Sequence, residues 1–161
     1  MTDSPALLRA LSDARVEYIL VGGAAATAHG SARLTLDVDV VYRRTPDNLA
    51  RVVASLGPFR PYLRGAPPGL PFRWDADTLQ RGLNFTLTTT LGHIDLLGEI
   101  SGGGTYDELV ADTEPITVSD VKCRCLSLPR LIQVKRAAGR VKDLEAVAEL
   151  EAHLEERDRS T

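Results

Sequence analysis

Cysteine is scarce in this chain: Cys123 and Cys125 are the only two, spaced C-x-C. On a strand the two side chains share one face, and such neighbours suit disulfide geometry poorly. With no second Cys/His pair they make a poor zinc site as well. Packed, reduced thiols are the expectation, as in a cytoplasmic protein. Long apolar runs are lacking too. None approaches the ~20 residues of a membrane span, and the acidic, polar opening Met1-Thr2-Asp3-Ser4-Pro5 does not resemble a secretory leader. The sequence therefore predicts a cytoplasmic protein with no membrane partner. There is no excess of positive charge: 19 Lys and Arg stand against 22 Asp and Glu, a formal net charge of −3. Contact with nucleic acid would have to come from a local basic patch. No hydrolase elbow, no Walker lysine motif, no internal repeat and no low-complexity tract occurs.

What is present fits one globular domain over residues 1–161, with 43% hydrophobic and 25% charged residues. Ser4-Pro5 predicts a helix start with Ser as the cap, followed by Leu7, Leu8 and Leu11 at helical spacing. Val16 to Val21 predicts a buried strand. Gly22-Gly23 ends it, and a small-residue helix runs from Gly23 through Ala28 to a stop at Gly30. Leu36 to Tyr42 predicts a second strand. Thr45-Pro46-Asp47 opens a helix with Leu49, Val52, Val53 and Leu56 inward and Gly57 as its end.

The irregular segment 58–82 holds five of the nine prolines, together with Phe59, Tyr62, Phe72 and Trp74 interleaved with Arg60, Arg64, Arg73 and Arg81. Long loops in compact domains are often functional. Arginines with aromatics also suit RNA through phosphate contacts and stacking. A short helix is expected over 75–80. Asn84 to Thr90 and His93 to Leu97 predict a hairpin. Residues 101–105 read as a flexible loop, Tyr106 to Ala111 as a short helix, and Ile116–Val118 with Lys122–Leu126 as a last strand pair. The C-terminus, 127–156, is helical: Ser127 caps a helix ended by Gly139. A charged helix then buries Leu144, Val147, Leu150 and Leu154, and 157–161 is expected to fray.

The candidate chemistry gathers around Val21-Gly22-Gly23 and Asp37-Val38-Asp39-Val40. A strand has period two, so Asp37 and Asp39 share a face. Two carboxylates that close repel unless one protonates or a cation neutralises them. Mg²⁺ does so, and takes a few carboxylates plus substrate phosphates. The bland alternative is a solvated edge strand. Asp95, a lone acid in an apolar strand, is costly to bury unpaired. If its strand lies beside the second, three carboxylates converge, the number that two-metal phosphoryl transfer uses. Its bland alternative is an acid bonded to backbone amides or an arginine. Gly22-Gly23 offers backbone N–H groups to an anion, or simply makes a tight turn. Lys135 falls on the inward stripe of its helix with Leu128, Leu131, Ile132 and Ala138, where it meets an anion or snorkels out. Arg33 and Thr35 lie just upstream of the acids, and His93 shares the face of Asp95. Arg136, Arg140 and Lys142 read as solvent-side charges, with Lys142-Asp143 as an alternative brace for the site.

Val-Gly-Gly, a spacer of thirteen residues and Asp-Val-Asp-Val, with Asp95 in His93-Ile94-Asp95-Leu96-Leu97, resembles the signature of the DNA-polymerase-β-like nucleotidyltransferase superfamily. Ala28-His29-Gly30, Arg33-Leu34-Thr35, Asn84-Phe85-Thr86 and Lys135 to Arg140 with Lys142-Asp143 extend the likeness to small single-domain bacterial nucleotidyltransferases. Some relatives of those act in toxin–antitoxin pairs. The resemblance implies an α/β (α+β) chain, a minimal nucleotidyltransferase fold with a mixed β-sheet and helices packed on it. It implies NTP as substrate, Mg²⁺ or Mn²⁺ as cofactor, and transfer of a nucleoside monophosphate to a tRNA or protein hydroxyl, with a cognate antitoxin or toxin as partner. Residue by residue, it implies metal at Asp37, Asp39 and Asp95, deprotonation of the acceptor aided by Asp95, and nucleotide binding by Gly22, Gly23, Arg33 and Lys135. Gly23 departs from the commoner Ser, and there is no large second domain for base or acceptor. The rival readings are a non-catalytic NTP-binding or protein-interaction module of the same fold, and a small-molecule (antibiotic) nucleotidyltransferase.

Overall fold

The computed structural model describes residues 2–29 and 37–160. In chain order its helices are α1 Ser4–Asp13, α2 Gly22–Ala28, α3 Pro46–Leu56, α4 Ala76–Arg81, α5 Tyr106–Leu109, α6 Leu128–Ala138 and α7 Val141–Arg159. Its strands are β1 Tyr18–Val21, β2 Asp37–Tyr42, β3 Tyr62–Leu63, β4 Asn84–Thr89, β5 Gly92–Leu97, β6 Glu99–Ile100, β7 Gly104–Thr105, β8 Thr113–Val118 and β9 Val121–Leu126. Seven strands form one mixed sheet in the order β3-β4-β5-β2-β1-β9-β8, and β6 pairs with β7 in a separate ribbon. The β2–β5 and β1–β9 pairs are parallel and the others antiparallel. The expected α/β class with a mixed sheet is what the chain adopts. No helix among the described residues is long and apolar enough to cross a membrane.

Strand alternation explains the layering. Residues paired across a sheet share a face, so Val38 and Val40, Ile94 and Leu96, and Phe85 and Leu87 line one side, and all six are buried. They join one core cluster with Leu7, Leu8 and Leu11 of α1 and Leu49, Val52 and Leu56 of α3. Helix α2 touches β1, β2 and α6, and α6 in turn carries α7. Cys123 and Cys125 are free and buried in the same core, and burial pushes the Cys125 thiol up to about 12.

Asn48 ties two connections together. Fully buried, it accepts from the Glu17 N–H at 2.7 Å and donates to the carbonyls of Glu17 (3.0 Å) and Arg43 (2.7 Å). Asn48→Ala strands those backbone groups. It is expected to lower the unfolding free energy by about 2–4 kcal/mol in urea titrations, with activity per folded molecule unchanged.

Several boundaries differ from expectation. The cap of α1 is Asp3, whose carboxylate accepts from the Ala6 N–H at 3.1 Å; Ser4 is the first helical residue. Helix α2 begins at Gly22, one residue earlier than expected, and the stop at Gly30 lies outside the described residues. Segment 58–82 contains an unexpected edge strand, β3, paired with β4 and placed just after Pro61, where an edge tolerates a missing donor. Residues 101–105 are not an open loop: Gly104 and Thr105 pair with Ile100 and Glu99. Helix α7 continues to Arg159 and is not frayed from 157, with Arg159 paired to Glu155 and the Ser160 N–H bonded back to the Glu156 carbonyl. Leu144 is 50% exposed because Asp143, with Ala146, Val147 and Leu150, takes the inward stripe.

Candidate active site

Register brings the acids together. In the parallel β2–β5 pair, Asp37 stands opposite His93 and Asp39 opposite Asp95. On β4, Thr86 pairs with Asp95 and Thr88 with His93. Val21 at the end of β1 pairs with Asp39. One sheet face therefore carries two polar rows, Thr86-Asp95-Asp39 and Thr88-His93-Asp37, with the first running into the Gly22 turn.

Gly22 is fitted to this row. Its φ is +66°, and a Cβ there would stand 2.2 Å from Asp39 Oδ2. Helix α2 starts at this residue, and Gly23 follows as its second residue, with its carbonyl accepting from Thr27 Oγ1 at 3.0 Å. The turn and the carboxylate thus pack directly against each other, and only glycine supplies both the backbone angle and the space.

The three carboxylates repel one another on this face. Burial, then the charge and hydrogen bonding of Asp95, then the charge of Asp37, push the Asp39 carboxyl up to about 7, against the opposing pull of Lys135. Asp39 Oδ1 is buried without a hydrogen-bond partner. Arg64, just past β3, reaches across β4: Nη2 lies 2.9 Å from Asp95 Oδ1 and Nη1 3.6 Å from Asp37 Oδ2. Asp95 Oδ1 is close enough to Nη2 for an ion pair yet off the hydrogen-bond direction, so it too counts as a buried oxygen without a hydrogen bond. His93 Nδ1 is 3.3 Å from Asp37 Oδ1.

Asp39 also forms part of the wall of a cavity of about 530 Å³, within the range of small-molecule sites. Val21 and Gly22 line it beside Asp39, and Leu131, Val134, Lys135 and Ala138 of α6 face them. Asn84, Leu97 and the stretch Glu99–Ser101 form another side, and Arg140 and Asp143 sit at the entry to α7. Asp143 is buried. Desolvation alone would raise its carboxyl, but Arg140, donating from Nε at 2.5 Å and Nη2 at 3.3 Å, and the nearby Lys135 hold it below the usual carboxylate range. Lys135 acts electrostatically on both Asp39 and Asp143, so the charge on the inward stripe of α6 faces anions.

Asp37, Asp39, Asp95, Gly22 and Lys135 thus stand in one neighbourhood. Arg33 and Thr35 lie outside the described residues. His29 is elsewhere, its Nε2 2.9 Å from the Leu126 carbonyl. The arginine–aromatic set of 58–82 is dispersed. Arg64 faces the acids, Arg81 pairs with Asp77 at 2.9 Å, Phe72 packs edge-on to Tyr62, and the Trp74 indole N–H bonds the Val53 carbonyl at 3.0 Å. Sequence reasoning missed the placement of Arg64 and read Arg140 as a solvent-side charge, whereas Arg140 lines the cavity and pairs with Asp143, the residue expected to brace the site with Lys142. The first was hidden by the unread strand β3, where period two aligns Tyr62 with Arg64. The second was signalled by Asp143 in the first turn of a helix, three residues after Arg140.

Hard oxygen donors are the right chemistry for Mg²⁺ or Mn²⁺, and two buried carboxylate oxygens lack hydrogen bonds. Among the described residues no three His, Cys, Asp or Glu side chains form a ready-made metal cage; Arg64 holds two of the three carboxylates. No protein-family model matches the chain, and no curated protein matches it.

Proposed function

We propose that this chain is a Mg²⁺- or Mn²⁺-dependent nucleotidyltransferase. It moves a nucleoside monophosphate from an NTP to a hydroxyl of a tRNA or a protein, as one half of a toxin–antitoxin pair. The observation that carries this reading is the register of Asp39 against Asp95, with Asp37 on the same face and Gly22 packed on Asp39.

Asp37, Asp39 and Asp95 would hold the metal. When bound, the ion neutralises the carboxylates and the phosphate charge and sharpens the acceptor oxygen as a nucleophile. The chain's own residues divide the remaining work. Gly22 and Gly23 bring the backbone close to the triphosphate without side-chain bulk. Lys135 supplies a positive charge to the phosphates from the far wall of the cavity. Arg140 fixes Asp143 and so keeps that end of the cavity polar and ordered. Asp95, on the side away from the cavity, accepts the proton of the incoming hydroxyl. Asp39 lines the cavity beside Gly22 and stands opposite Asp95 in the sheet.

Incubation with α-phosphate-labelled NTPs, Mg²⁺, bulk tRNA and cell lysate tests the reading. Label on RNA or on a protein names the acceptor class. Binding of NTP without transfer under any condition sinks the enzyme reading in favour of a binding module. Lys135→Ala is expected to weaken NTP binding about tenfold, the scale of one charge-assisted hydrogen bond, in a fluorescent-nucleotide titration, with little change in melting temperature.

A further inference from the structure

We propose that Arg64 is a resident counter-cation of the acid cluster, which a divalent ion must displace. The metal affinity of the site is then set by competition with the chain's own guanidinium. This rests on the metal-dependent reading above and adds a residue that the reading does not require.

The placement of Arg64 is built into the sheet. Its backbone N–H donates to the Thr86 carbonyl at 3.0 Å, continuing the β3–β4 pairing, so Arg64 stands at the head of the row Thr86-Asp95-Asp39. The side chain, 22% exposed, crosses Thr86 and reaches acids on two different strands. Nη2 donates to the Leu87 carbonyl at 2.7 Å and also faces Asp95 at 2.9 Å.

The mode of attachment is a compromise. A guanidinium binds one carboxylate best with two parallel hydrogen bonds. Here the fork is divided between Asp95 and Asp37, and the bond to neither is bidentate. Its Nε is buried without a hydrogen-bond partner, as are those of Arg43 and Arg130, so the divided fork is what sets Arg64 apart. The charge of the acids is thus partly offset while hydrogen bonding is left incomplete, as suits a group that yields to a better cation. A divalent ion using Asp95 Oδ1 and Asp37 Oδ2 takes the same oxygens, so the two cations exclude each other. Because the backbone is pinned to Thr86, displacement requires rotation of the side chain and no movement of the strand.

The test is titration of the full chain with Mn²⁺ in the absence of nucleotide, followed by electron paramagnetic resonance of the free ion. Wild type, Arg64→Ala and Arg64→Lys are compared, with melting curves in chelator and in Mn²⁺. Arg64→Ala is expected to bind Mn²⁺ about tenfold more tightly, since a unit charge a few ångströms away is removed. It should also melt lower in chelator and gain more from the metal. Arg64→Lys keeps a charge but lacks a fork to bridge both acids, and should fall between the two. It decides the matter if the alanine variant does not fold. Equal or weaker Mn²⁺ binding in the variants, with wild-type binding intact, overturns this inference and leaves the nucleotidyltransferase reading standing. If neither wild type nor either variant takes up Mn²⁺, the metal-dependent reading falls and this inference with it.

Discussion

Asp39→Asn is expected to abolish nucleotidyl transfer and, in the same molecule, to stabilise the metal-free chain. Both effects have one origin. The Asp39 carboxyl is buried beside Asp95 and Asp37, and its pKa is pushed from 3.8 to about 7. A group whose folded pKa lies above its unfolded value favours folding at low pH and loses that contribution as pH rises through the folded value. Metal-free wild type should therefore lose stability between about pH 4 and pH 8, by up to roughly 4 kcal/mol from this group. Asparagine carries no charge, so the variant should lose this contribution to the pH dependence of stability over that window. At pH 8 in chelator it should melt higher by roughly 4–8 °C, equivalent to about 2 kcal/mol in a chain of this size. Transfer should fall by about 10³-fold or more, since charge stabilisation at the reacting phosphate is usually the largest single contribution. Stabilisation by Mg²⁺, pronounced for wild type at pH 8, should largely vanish. A variant that melts lower than wild type at pH 8 would show that Asp39 is a satisfied structural acid, and the reading of this face as a metal site would fail.

Gly22→Ala ranks second. Alanine at φ +66° pays about 1–2 kcal/mol in backbone strain. More consequentially, its methyl group would stand 2.2 Å from Asp39 Oδ2, so either the turn or the carboxylate must move. Misplacement by about 1 Å in such a site costs on the order of 100-fold in rate. Transfer is expected to drop by about that factor, and urea unfolding to show a loss of a few kcal/mol. Gly69→Ala is the control. Gly69 also has a positive φ, +91°, with nothing within 4 Å of the added methyl. It should share the backbone penalty and keep full transfer. Equal activity of Gly22→Ala and Gly69→Ala would mean that the contact with Asp39 carries no function.

The acids were legible because the signals that place them are local. Period two in Asp37-Val38-Asp39-Val40 puts two carboxylates on one face whatever the strand order. His93-Ile94-Asp95 then needed only a neighbour, which the parallel β2–β5 register supplies. Lys135 was legible for the same reason, as a charge on an otherwise apolar helical stripe. Arg64 was not, since its role depends on Tyr62-Leu63 pairing with Leu87 and Thr88. Two residues among prolines give no periodicity to detect. Asp143 was half legible: its position suited a brace, but Leu144 competed for the inward stripe and only packing decided between them. The arginine–aromatic segment misled because composition cannot show that the Trp74 N–H is taken by Val53 or that Arg81 is paired with Asp77.

The parallel contact of β1 with β9 has a consequence for how the protein is made. Ile19 and Leu20 pair with Arg124 and Cys125, so one neighbour of a central strand is supplied by a segment synthesised far later. Chain growth proceeds at about 5–20 residues per second, so β1 waits several seconds with one edge unpaired. Loop-closure entropy makes such distant pairings slow in any case. The acids on β2 and β5 can meet before β9 arrives, but the wall formed by α6 and α7 cannot. During synthesis the carboxylates of β2 and β5 are therefore made before α6 and α7, which form the far wall of the cavity.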